Sequence, residues 1–151
     1  MKKILKILLI AITILILFIP LIIKVSNDNI AKNVEKNLKV TSLPNDSELV
    51  DSISISGKLT GNGNGMQYFG AILIKTDLSE DELNDYYNQF RKDEWSYILK
   101  KQNSNKIDVI EHGNYRFEKY NKEDEEKYYI IYSWGSAKND FLVELDLRGH
   151  W

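Results

Sequence analysis

The sequence predicts an α+β protein: a single N-terminal transmembrane helix followed by a small domain of antiparallel sheet packed on one main helix. Three observations predict it. Residues 7–23 carry no charge and are almost wholly aliphatic. From Glu48 onward the hydrophobic period shifts to two, the period of a strand. A lone capped amphipathic segment, beginning at Ser79, interrupts the strands.

The first element is the anchor. Its apolar side chains are Ile4, Ile7, Leu8, Leu9, Ile10, Ile12, Ile14, Leu15, Ile16, Leu17, Phe18, Ile19, Leu21, Ile22 and Ile23. Twenty residues at 1.5 Å each span about 30 Å, the thickness of a bilayer's hydrocarbon. Lys6 lies near enough to the end to reach the interface with its ammonium. Pro20 is expected to kink the last turn or mark the helix exit. The rival reading is a cleaved signal peptide. It fits poorly, because the apolar run is too long and no small-residue cleavage site follows it. Lys2, Lys3 and Lys6 precede the helix, which places the N-terminus in the cytoplasm and the domain outside. Ala11 is the one alanine or glycine in the run, so helix pairing through a small-residue seam is not expected.

Residues 26–44 read as a stalk between an anchor over 1–25 and a domain over 45–151. Ile30, Val34 and Leu38 recur at four-residue steps, a thin helical stripe that suits a short amphipathic helix or a partly ordered spacer. Pro44-Asn45-Asp46 marks the domain boundary. Beyond it Ile53, Ile55 and Leu59 alternate with Ser52, Ser54, Ser56 and Lys58, a half-buried strand. Gly61-Asn62-Gly63-Asn64-Gly65 must turn, and 68–74 is apolar on both faces, as a central strand is. Together they make a hairpin.

Ser79 and Glu82 form a capping box, with Leu78 and Leu83 at the staple positions. Leu83, Tyr86, Tyr87 and Phe90 are the buried face of that helix, and Arg91 and Lys92 suit its C-terminal end. Five short strands are expected afterwards, at 96–101, 107–111, 115–120, 128–134 and 141–147. Tyr128 and Tyr129 must point to opposite faces of their strand.

Charge and composition bound the function. Four of the 20 basic residues lie in the first 24 positions and none of the 22 acidic ones does, which leaves 16 against 22 and a net of −6 beyond them. Such a domain is a poor ligand for nucleic acid. With no cysteine, thiolate catalysis, disulfides and thiolate metal sites are excluded. His112 and His150 lack metal-ligand spacing, so neither metal nor cofactor is expected. The glycine loop lacks the lysine and hydroxyl of a phosphate-binding loop and opens no helix. The acidic run at 123–126 reads as a solvated turn rather than a calcium loop. The abundance of Lys, Asn and Ile suits a bacterial source.

What remains is a membrane-anchored, extracytoplasmic binding or interaction domain of unknown ligand. Its expected partners are the lipid bilayer and a protein, a basic one in the case of an immunity-type inhibitor. An envelope hydrolase using loop or strand carboxylates is the enzymatic alternative. Asn62, Asn64, Met66, Gln67 and Tyr68 are the candidate recognition loop, because three glycines leave that turn mobile and side chains beside it free to bind.

Overall fold

The structure, a computed structural model, describes residues 2–136 and 144–150. One helix, α1 (Lys2–Val40), runs through the expected anchor and most of the expected stalk without a break. At 1.5 Å per residue it is about 58 Å long. Its first part is long and apolar enough to cross a membrane. Pro20 lies inside α1 and is not its exit. Proline removes one backbone donor, and the helix continues past it with that bond missing.

The sheet has four antiparallel strands in the order β1-β2-β4-β3: β1 (Ser47–Gly57), β2 (Gln67–Thr76), β3 (Ile98–Lys101) and β4 (Tyr128–Gly135). The hairpin read from alternation is β1–β2, with Ser56 opposite Tyr68 and a bulge near Val50. The second helix, α2 (Glu80–Asn88), carries the expected capping box: Ser79 N–H donates to Glu82 and Glu82 N–H to Ser79 Oγ. It ends before Phe90, so Arg91 and Lys92 lie beyond its last turn.

The two sheet faces have different covers. Tyr68, Ile72, Ile74, Tyr129 and Ile131 look towards α1 and α2, where Leu38, Leu83 and Tyr87 are buried among them. Phe69, Ala71, Leu73, Tyr128, Ile130 and Tyr132 look the other way, onto Ile107, Ile110 and Phe117. Tyr128 and Tyr129 are therefore both buried, on opposite faces. The sheet is covered more by α1 than by α2. The serines of β1 face α1 rather than water: Ser52 Oγ donates to Glu35 at 2.6 Å and Ser56 Oγ donates to Asp28.

Two expected strands are absent. Residues 107–111 and 115–120 form an irregular layer whose one bridge joins Lys106 to Arg116. Ile107 and Ile110 are both buried against the sheet. Side chains three apart cannot share one face of a strand, so the backbone turns between them, with Ile110 N–H bonded to Ile107 O. The 96–101 strand begins only at Ile98, because Tyr97 has φ 50°. The acidic run lies in a 3-10 turn, Lys122–Lys127, with Asn121 as its N-cap. In the last expected strand, 141–143 fall outside the described residues. The remainder forms no strand: Leu147–Gly149 is a short 3-10 turn.

Candidate functional site

Ile23, Asn27, Ala31, Val34 and Leu38 recur along α1 at steps of four and three, the spacing of one helix face. This face lies on the sheet. It approaches closely where the sheet carries glycine. A methyl group at Gly70 would fall on the backbone of Val34 and Glu35, and one at Gly135 would strike the Val34 side chain.

Asn27 is the polar member of that face and is fully buried. Its side-chain oxygen accepts from the Tyr68 hydroxyl at 2.8 Å, and its amide donates to Asp146 Oδ2 at 2.9 Å. Asp146 in turn holds Arg148: Nε reaches Oδ1 at 3.0 Å and Nη2 reaches Oδ2 at 2.7 Å. Arg148 Nη1 then donates to Asp28 Oδ1 at 2.7 Å, returning the chain of contacts to α1. Lys24 closes the set with an ion pair to Asp28 at 3.2 Å. The backbone joins in, with Lys58 N–H on Arg148 O and Gly65 N–H on Gly149 O. Four separated pieces of sequence meet here: the middle of α1, the end of β1, the start of β2 and the C-terminal turn.

The electrostatics follow from this clamp. Burial alone would raise the Asp146 carboxyl, but hydrogen bonds from Arg148 and Asn27 outweigh it and hold the pKa at about 2. Asp28 is lowered as well: burial opposes the shift, and hydrogen bonds from Ser56, Arg148 and Lys24 overcome it. Arg148 is raised, chiefly by its bonds to Asp146. Burial, helped by the Asp146 charge, pushes the Tyr68 hydroxyl up. Every charge in the clamp has a partner, the condition under which a buried polar network fixes one geometry.

A groove of about 410 Å³ opens elsewhere on the same helix. It runs between the C-terminal part of α1 (Asn37, with Thr41 just beyond it) and Lys92, Ser96, Tyr97 and the end of β4. Tyr97 is one of its lining residues. A φ of 50° is the left-handed region, uncomfortable for a tyrosine. It is held there from two sides: its hydroxyl meets Thr41 Oγ1 at 2.7 Å and its N–H donates to Ser133 Oγ at 2.8 Å. Strain of this kind persists only where the surroundings over-determine it.

The expected recognition loop is divided. Asn62 and Asn64 are exposed at the tip. Met66 and Tyr68 are buried, and Gln67 is committed internally, its Oε1 accepting from Leu59 N–H and Thr60 N–H. The tip is tethered too: Gly61 N–H donates to Glu111 at 2.7 Å and Gly61 O meets His112 Nε2 at 2.8 Å. His150 lies on Glu144 O, far along the chain. The anchor side chains from Ile4 to Ile22 are exposed along the projecting part of α1, and Ile23 is the first to be buried against the domain.

The sequence does not single out Asn27, Asp146 or Arg148. It holds one signal: extending the Ile30/Val34/Leu38 stripe backwards by half a heptad meets an asparagine where an apolar residue is expected. Nothing local pairs that asparagine with Asp146, which lies 119 residues away. Compared with known proteins, the chain matches no family model, no curated protein and no solved structure.

Proposed function

We propose that this is a membrane-tethered interaction domain, held at the outer face of a bilayer by the first part of α1. The observation that carries the reading is the continuity of α1: one helix presents a bare apolar surface at one end and is buried in the domain at the other. A bare aliphatic surface of that length is stable in hydrocarbon and not in water. The lysines before the apolar run favour an outward-facing domain. The groove beside Tyr97 is the binding surface. Its lining offers hydroxyls, amides and an aromatic edge, with Lys92 as its charged side chain, a set suited to hydrogen-bonded recognition. Away from Lys92, the net acidic charge of the domain as a whole would steer a basic protein towards its surface.

The test uses the full chain in cells. A photo-crosslinking side chain at Asn37, in the groove, is expected to give a discrete adduct. The same group at exposed Lys101 is expected to give none. In parallel, a Glu48→Cys variant is expected to react with an impermeant maleimide applied outside intact cells, since the native chain has no cysteine. Identical adducts from both crosslinking positions, or a Glu48→Cys variant that the maleimide leaves unlabelled until the cells are lysed, would contradict the reading.

A further inference from the structure

The geometry points to a second membrane contact, in which the C-terminal turn dips Leu145 and Leu147 into the interfacial layer of the bilayer. The inference rests on the proposal that α1 spans the membrane. Leu145 is 44% exposed and Leu147 71%. Among the described residues the other large exposed hydrophobics beyond Val25 are Val40 and Trp95. Two of these four thus lie on one short turn, and the clamp fixes where that turn sits. Asp146, between the leucines, is bonded to Asn27, and Arg148 to Asp28. Arg148 also approaches the Lys24 carbonyl at 3.4 Å. The turn is therefore held at the middle of α1, within a turn or so of Ile23, where the apolar run ends.

That height is the interfacial zone. Hydrocarbon of about 30 Å with headgroups extending it to about 40–45 Å leaves roughly 5–7 Å of interface on each side. One leucine side chain reaches across much of that distance. The turn is also rigid before it meets lipid. Gly149 N–H bonds to Asp146 O, His150 N–H to Leu147 O, and the His150 ring to Glu144 O. Asp146 faces inward while its two neighbours face outward, so the leucines are presented without ordering cost. Lys24, whose carbonyl meets Arg148 of this turn and whose side chain is 56% exposed, supplies a cation at the same level along α1. Apolar side chains with a neighbouring cation are the pattern of an interfacial contact. The occupant we commit to is lipid, because the turn is level with the end of the one long apolar surface found among the described residues.

The test takes single-cysteine variants of the full chain, Leu147→Cys and Leu145→Cys, labelled with an environment-sensitive fluorophore and reconstituted in phosphatidylcholine vesicles. Ile14→Cys reports the span and Glu48→Cys the distal end of the domain. The expected result is blue-shifted emission from both leucine positions. Quenching by lipids with a shallow nitroxide should be several-fold stronger than at position 48. If position 14 is quenched but 145 and 147 behave like 48, the inference is wrong and the span stands. If 147 is blue-shifted yet quenched only by other labelled copies, a second protein chain covers the turn and the inference is equally wrong. An unquenched position 14 would overturn both the span and the contact built on it.

Discussion

Asn27 occupies a position where a leucine would bury more apolar surface, and its presence makes sense only through its partners. It accepts from Tyr68 and donates to Asp146, so it converts an apolar stripe into a keyed joint. Asp146 gives that joint a pH signature. Its pKa is about 2 in the folded protein, whereas an unperturbed aspartate titrates near 3.9. A depressed carboxyl stabilises the fold above its unfolded pKa and loses that contribution as pH falls towards the folded one. Stability should therefore be level above about pH 5 and should fall between about pH 4 and pH 2, by roughly 2 kcal/mol for this group. Asp28 shifts in the same direction and adds to the same limb. Asp146→Asn should lower the plateau and flatten the acid limb, read from urea melts of the full chain in detergent at a series of pH values. An acid limb identical in the variant would mean that the clamp does not contribute it.

Among the elements, the contact between α1 and the sheet depends on the absence of side chains. Gly70→Ala would set a methyl group against the α1 backbone, which has no flexible end to move aside. Overpacking of this kind costs about 1–3 kcal/mol. Gly63→Ala, in the open loop with nothing within 4 Å, should cost little, consistent with an ordinary backbone conformation there. Thermal melts of the two variants should separate clearly, and equal losses would contradict the packing. The elements legible in the sequence are those whose signals are local. The Ser79–Glu82 box, the β1–β2 alternation and the Tyr128 run each show their pattern within a short stretch of chain. The elements that are not legible owe their form to distant partners. Residues 107–120 are irregular because Ile107, Ile110 and Phe117 all turn to one sheet face. Tyr97 leaves the strand region because Thr41 and Ser133 hold it. The clamp joins residues from both ends of the chain, and no spacing within either end announces it.

At the scale of the whole molecule, the expected stalk is, as far as Val40, a continuation of the apolar helix. A flexible spacer would let the domain move independently of the apolar run. A continuous helix, wedged against Gly70 and Gly135 and keyed by Asn27, instead fixes the domain's position relative to the apolar run of α1. The loop tip at Asn62 and Asn64 belongs to the same end of the domain as the clamp, since Gly65 bonds to Gly149. The Tyr97 groove lies along the part of α1 nearer its C-terminal end. The clamp and the groove thus lie at different places along α1. The most direct measurement is amide hydrogen exchange across 24–38 in the full chain reconstituted in lipid nanodiscs. Amides there should exchange as slowly as those of β2 and β4, because all open only with the domain. Exchange at free-peptide rates over that stretch, beside a protected sheet, would show a hinged tether and contradict the rigid mount.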